Sequence, residues 1–331
     1  MIAVTGGAGF IGSAVIWALN RKGRKDILVV DALTTDERWK NLVNLRFADY
    51  IDKQEFLDQL EKGSLDQSVS GIIHLGACSS TTERDAGFLM RNNHQYTQHL
   101  ARWCLNHTKR FVYASSAATY GDGRQGFSDD HAHLETLRPL NMYGYSKHLS
   151  DLWALQNGHL DKIAALKYFN VFGPNEYHKD DMRSVVHKAF CQINETGKVR
   201  LFKSHKEGFQ DGWQLRDFIY VKDAVAATLG IYENPKANGI FNIGTGQARS
   251  FYDLAVTTFH AMDLEPYIEY IDMPETIRDK YQYFTQAETA KLKILGLDKM
   301  HSLEDAITDY VRNYILKDDP YLKLEDPSCA S

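Results

Sequence analysis

Tyr143-Gly144-Tyr145-Ser146-Lys147 sets a phenol and an ammonium four residues apart, on one face of a helix. A free tyrosine, with a pKa of ~10, is a poor base at neutral pH. A neighbouring lysine cation, helped by an oxidised nicotinamide, favours its phenolate. The same lysine can hold the nicotinamide ribose. Ser116 ends a strand that begins at Arg110, and its hydroxyl can hydrogen-bond a reacting alcohol. Together the three suit proton transfer to and from a hydroxyl group that is being oxidised. Surface helices also carry tyrosine and lysine at this spacing, so the surrounding elements decide the reading.

Those elements begin at the N-terminus. Ile2-Ala3-Val4 is a short apolar run of the kind that forms a buried parallel strand. Thr5-Gly6-Gly7-Ala8-Gly9-Phe10-Ile11-Gly12 follows, then a helical pattern from Ser13 to about Lys22 and a second strand, Ile27-Leu28-Val29-Val30, ending in Asp31. Strand, glycine turn, helix, strand and acid make a dinucleotide-binding βαβ unit. Gly6 permits the turn, Gly9 lets backbone approach a pyrophosphate, and Gly12 lets helix pack on sheet. Unpaired amides at the helix N-terminus face the phosphates. Asp31 can bond the adenosine ribose, and Arg38 lies within reach of it.

The alternation continues. The sequence predicts a helix over Ile51 to Lys62 and a strand at Gly71–Leu75. A loop of small residues, Gly76-Ala77-Cys78-Ser79-Ser80, comes next. One long helix is expected from Glu83 to Asn106, then a helix within Leu140–Gly158 and a strand at Ile163–Phe169. Such alternation predicts an α/β fold: a Rossmann-type doubly wound parallel sheet. From Gly173-Pro174 the pattern loosens, and Asp217–Val221 reads as a return to the sheet. The expected organisation is a discontinuous dinucleotide domain, 1–173 and 217–245. A smaller mixed α/β substrate-binding domain would comprise 174–216 and 246–331.

The chain has 331 residues, 44% of them hydrophobic, and a net charge of −5. That charge argues against nucleic-acid binding through the phosphate backbone. No run approaches the length of a membrane span, and the first strand starts at Ile2, leaving no room for a signal peptide. Cys78, Cys104, Cys191 and Cys329 have no metal-ligand spacing and suit reduced thiols in a cytoplasm. Cys78 can also be read as a nucleophile, but no paired base is visible. His131 and His133 suggest a metal, yet no third ligand accompanies them, and no metal is expected. Asp129, Asp130 and Glu135 read as a solvated loop. Arg216, before an apolar strand, can clamp a diphosphate or form a structural salt bridge.

The glycine motif, the Ser116 strand and Tyr143…Lys147 resemble the extended short-chain dehydrogenase/reductases that act on nucleotide sugars. Tyr168-Phe169-Asn170-Val171-Phe172-Gly173-Pro174 is similar to that family's crossing from sheet to substrate domain. Gly76–Glu83, Tyr113–Gly121, His178-Lys179 and Phe284-Thr285-Gln286-Ala287 are similar to its ADP-heptose 6-epimerase branch. The likeness runs from Met1 to about residue 312.

The resemblance implies a cytoplasmic isomerase that inverts C6 of the heptose in ADP-D-glycero-D-manno-heptose, for lipopolysaccharide inner-core precursors. It implies NADP, with NAD possible, an ADP-sugar substrate, and a homo-oligomer, a pentamer being suspected. Gly6, Gly9, Phe10, Ile11, Gly12, Asp31, Ala32, Arg38, Lys53, Leu75 to Ser79 (with Gly76, Ala77 and Cys78), Asn92, Lys147, Val171 and Lys179 would bind cofactor. Tyr143 and Lys179 would transfer protons, with Ser116 and Lys147 assisting. Ser116, Asn170, Asp181, Lys188, Phe202, Arg216 and Tyr281 would meet the ADP-sugar. Asp180-Asp181, Lys188 and a long stretch from Lys203 to Trp213 depart from the family pattern.

Two proton-transfer residues also follow from stereochemistry. A C–H bond beside a hydroxyl is not acidic, so inversion requires oxidation to a ketone. The ketone must then present its other face, which moves its oxygen to a second proton donor. Lys179 can be that donor or a phosphate contact. Two alternatives stand: another nucleotide-sugar epimerase or a 4,6-dehydratase, and an NADP-binding sensor without turnover. Ala117 and Ala118 occupy the positions where such dehydratases carry Asp-Glu. The intact Ser116, Tyr143 and Lys147 argue against the sensor.

Overall fold

The computed structural model of the protein describes residues 1–278 and 281–324. Cys329 and the last residues of the expected second domain lie outside them. The first six strands are β1 (Ile2–Thr5), β2 (Ile27–Asp31), β3 (Asp49–Asp52), β4 (Gly71–His74), β5 (Arg110–Ser116) and β6 (Ala164–Tyr168). Three further strands, β7 (Asn170–Phe172), β8 (Val199–Phe202) and β9 (Leu215–Tyr220), lie outside their sheet. β10 (Gly239–Ile243) returns to it, giving a seven-stranded parallel sheet in the order β10-β6-β5-β4-β1-β2-β3.

The apolar runs explain the layering. In β1, Ile2 and Val4 face one core cluster and Ala3 the other, as strand alternation dictates. The first cluster includes Val15, Ile16 and Leu19 of α1 (Phe10–Arg21), and the second takes Phe56 and Leu60 of α2 (Lys53–Glu61). After α3 (Ala86–Leu89), α4 (Tyr96–Asn106) adds Leu100 and Cys104 to the second, and α5 (Met142–Gln156) adds Ala154. Beyond α6 (Val185–Thr196), α7 (Val221–Glu233) adds Val225 and Leu229 to the first. Helices on both faces of a parallel sheet make the fold doubly wound. From the adjacent strands β1 and β4 the chain winds outward in opposite directions. A crevice at the carboxyl ends of the strands is the consequence.

The second lobe holds two small sheets. β7 and β9 pair in parallel, and β11 (Ala248–Ser250) joins β9 antiparallel. β12 (Ile268–Ile271) pairs with β8. α8 (Phe251–Ala261) and a later helix, Leu303–Tyr310, share one core.

Two sequence expectations are corrected. Asp217–Val221 does not rejoin the large sheet, because β10 already fills the open edge of β6. The expected helix from Glu83 starts only at Ala86: Glu83 caps the amides of Arg84 and Asp85, and Asp85 then caps Phe88. Its course is also interrupted by a π-helical turn at Met90–Gln95.

Candidate active site

β5 and α5 bring the three chemical residues together. α5 starts at Met142 because the Asn141 side chain caps the Gly144 amide at 2.8 Å. Tyr143 therefore sits in the first turn, where the nearby Ser116 hydroxyl favours its phenolate. Lys147, one turn on, is buried and donates from Nζ to the Ala114 carbonyl at 2.8 Å. Burial lowers its pKa to about 8, opposed by Asp151 and Cys78. Desolvation pushes the Tyr143 phenol up, and the Ser116 hydroxyl only partly offsets this. Phenolate formation in this site calls for a further positive charge close by.

The glycine turn forms a tight cradle. A Cβ on Gly12 would stand 2.0 Å from the Gly6 carbonyl oxygen, and Gly6 itself has φ +65 against the Gly76 backbone. Asp31 steadies the turn: its Oδ2 accepts from the Ala8 amide at 2.9 Å and its Oδ1 from Ala32 at 2.8 Å. Arg38 reaches Asp31 at 3.4 Å but is engaged mainly by Asp36, whose two oxygens accept its Nε at 2.8 Å. Lys53 donates to Asn92 at 2.7 Å. The loop with Leu75, Gly76, Ala77, Cys78 and Ser79 is pinned by Asn93, which exchanges hydrogen bonds with the Cys78 backbone at 2.9 and 3.0 Å. Ile11, Leu75 and Val171 pack on one core cluster. An acid at the end of β2, a backbone cradle and a small-residue loop fit a nicotinamide dinucleotide.

Lys179 lies on a strap of 3₁₀ turns, Tyr177–Met182, kinked at Asp180 (φ 45). Its Nζ stands 5.4 Å over the ring of Phe10, beside the glycine turn. Burial lowers its pKa, and Glu176 opposes this. Asn41 ties the strap down, donating to the Ala8 carbonyl at 2.9 Å and meeting His178 Nδ1 at 3.2 Å.

The substrate candidates beyond Ser116 fall into three groups. Asn170, Val171, Arg183, Phe218 and Phe251 line a cavity of about 210 Å³. Arg216 is buried in β9, with its guanidinium 5.3 Å from the Tyr281 ring and 5.6 Å from that of Phe251. Phe202 meets Tyr281 edge-on at 6.2 Å. Arg216 has no carboxylate partner among the described residues, so the salt-bridge alternative lacks its anion there. Asp181 is exposed, and Lys188 donates to its carbonyl at 2.6 Å, so these two are paired with each other. His131 accepts from the Ile240 amide at 3.1 Å, and Asp129 from Asn242 at 3.0 Å, so both anchor a loop on β10.

Asn41 and Asn175 lie outside every motif in the sequence. Asn175 donates to Ser13 of α1 at 2.8 Å and accepts from the Leu322 amide at 2.8 Å, joining the two lobes. A buried asparagine has no spacing signature; its value lies in contacts between distant segments.

The NAD dependent epimerase/dehydratase family matches over residues 2–244. The chain is 56% identical over 323 residues to ADP-L-glycero-D-manno-heptose-6-epimerase of Nitratidesulfovibrio vulgaris strain DP4, covering 97% of this chain and all of that one. It is 48% identical to the protein of that name from Fusobacterium nucleatum, again over 97% of this chain and all of the relative. A crystal structure of Helicobacter pylori ADP-L-glycero-D-manno-heptose-6-epimerase superposes with a TM-score of 0.78 at 27% identity, over 94% of each chain.

Proposed function

The chain belongs to the NAD dependent epimerase/dehydratase family, and from that premise we propose that it is an isomerase inverting C6 of the heptose in ADP-D-glycero-D-manno-heptose. The product is the L-glycero-D-manno epimer, a precursor of the lipopolysaccharide inner core, made in the cytoplasm by a homo-oligomer. The observation that carries the reading is that the end of β5 and the first turns of α5 set Ser116, Tyr143 and the buried Lys147 together, beside a dinucleotide cradle.

The dinucleotide domain is 1–173 with 217–245, and the substrate-binding domain is 174–216 with 246–331. The cofactor is NADP, held by the glycine turn, Asp31, Arg38, the Leu75–Ser79 loop and Lys147. When bound, it supplies the hydride acceptor and donor for C6, and its cationic ring favours the Tyr143 phenolate. Tyr143 takes the hydroxyl proton of one epimer, with Ser116 orienting that hydroxyl. After the 6-keto sugar has turned over, its oxygen lies by Lys179, which gives the second proton. Arg216 and the Tyr281 ring hold the ADP end, where a buried cation without a carboxylate suits a diphosphate. A dehydratase needs an additional acid and base near the sugar, and Ala117 and Ala118 offer neither.

Incubating the protein with ADP-D-glycero-D-manno-heptose and following the C6 configuration by NMR tests this. Conversion to an equilibrium mixture of two epimers is expected. Loss of water from the sugar would make the protein a dehydratase, and no change would leave a sensor.

A further inference from the structure

A buried charged cluster takes no part in the mechanism above. Asp151 is fully buried in α5, one turn beyond Lys147 and two beyond Tyr143. Its Oδ1 accepts from the Tyr113 hydroxyl at 2.9 Å and its Oδ2 from the Ser115 hydroxyl at 2.7 Å. The ammonium of Lys167, equally buried on β6, stands 3.6 Å from the same Oδ2. Lys167 in turn lies 4.3 Å over the ring of Tyr120.

One face of α5 thus meets the end of β5 residue by residue. Tyr143 stands near the Ser116 hydroxyl, Lys147 takes the Ala114 carbonyl, and Asp151 the Ser115 hydroxyl. Burying a carboxylate and an ammonium is costly, and an apolar pair of the same volume often stabilises a fold as well or better. Packing alone therefore does not account for Asp151. Its place four residues from Lys147 does.

We propose that Asp151 is a positioning residue for the reaction: it locks the β5 end that carries Ser116 and sets its carboxylate one helical turn from the Lys147 ammonium, as that cation's counter-charge. The inference rests on the roles given above to Ser116, Tyr143 and Lys147.

Charged and titratable groups from several elements face Lys147 and Asp151. Around Lys147, Asp151 and Cys78 favour the cation, against burial. His74, below it on β4, is held neutral by burial and by Lys147 itself. Around Asp151, Lys167 is the counter-cation, and it also feels Asp129 and, in the opposite sense, Lys291. Burial lowers the pKa of His148; Asp151 opposes this, and the Lys167 and Arg138 cations add to it. Tyr113 and Tyr120 stay protonated, as burial and nearby carboxylates push both phenols up.

The test is to titrate Lys147 directly. Protein carrying lysine labelled at the ε-carbon is followed by NMR from pH 6 to 10, with Lys147→Met assigning the signal. Wild type should titrate near pH 8. Asp151→Asn keeps the shape and removes the charge. Its Lys147 midpoint should fall by about one pH unit, the effect expected of a charge roughly one helical turn away in partly screened surroundings. Lys167→Met removes the opposite charge and should leave the midpoint equal or higher. In the epimerisation assay, Asp151→Asn should then lose about fivefold in kcat at pH 8 and recover at pH 6.5, which a merely structural defect would not do.

If Asp151→Asn does not fold, Asp151→Asn/Lys167→Met leaves no unpaired buried ion and should show the same downward midpoint. An unmoved midpoint in whichever variant folds overturns the proposal, and failure of both to fold assigns the pair to stability and overturns it too. Because the titration needs no substrate, a wild type without epimerase activity would count against the proposed function instead.

Discussion

The ammonium of Lys147 donates a 2.8 Å hydrogen bond to the carbonyl oxygen of Ala114, two residues before Ser116 in the same strand. The cation is fixed by backbone that also carries the hydroxyl it serves. Its pKa is lowered to about 8 by burial, so the charged form exists below that pH and is lost above it. The expectation is that kcat falls as pH rises through about 8. A profile of kcat at saturating substrate that stays flat up to pH 10 would contradict it.

Tyr143→Phe removes one hydroxyl, beside that of Ser116. Folding and cofactor stoichiometry should be unchanged, while epimerisation drops by roughly 10²–10⁴-fold, the range for losing a positioned acid or base. Circular dichroism, bound-cofactor content and turnover, measured on one preparation, check this. Near-wild-type turnover would remove Tyr143 from the chemistry.

Lys179→Ala should cost a similar factor of about 10²–10⁴ in steady-state epimerisation, because the second orientation of the ketone loses its proton donor. One epimer should still be oxidised in a single turnover, seen as reduced-nicotinamide absorbance. If the variant instead raises KM at unchanged kcat, Lys179 is a binding residue and only one proton-transfer group operates.

Arg38 governs cofactor choice in this account. Asp31 at the end of β2 favours a free ribose 2′-hydroxyl, while Arg38 beside it can offset the repulsion of a 2′-phosphate. Arg38→Ala should weaken NADP binding by about 1.5–3 kcal/mol, as for a charge-assisted hydrogen bond, and leave NAD nearly unchanged. The low end of that range is expected, since the guanidinium must first leave Asp36. Calorimetric titration with both cofactors decides it; equal losses would show that Arg38 does not read the phosphate.

Much of this was legible in the sequence, for a physical reason. Phosphate cradles and Tyr/Lys pairs depend on local backbone geometry, so their spacing is written along the chain. Buried parallel strands also announce themselves as apolar runs, and β1, β2, β4, β5 and β6 lie where such runs predict. Pairing partners are a different matter. β9 reads like a core strand, but its neighbour is decided by which edge β10 leaves open. The fixed state of Arg38, tied to Asp36, and the clasp by Asn41 and Asn175 depend on distant contacts. Spacing reveals the lysine beside Tyr143 but not the desolvation that pushes its phenol up.

The central claim is that C6 is inverted by oxidation and re-reduction within one site. The most direct measurement uses ADP-D-glycero-D-manno-heptose carrying deuterium at C6, incubated with the protein in ordinary water, with the product examined by NMR and mass spectrometry. The account predicts that the inverted product keeps its deuterium at C6, because the hydrogen leaves and returns without meeting solvent. Replacement of that deuterium by solvent hydrogen would mean that C6 is deprotonated rather than oxidised, and would contradict the account.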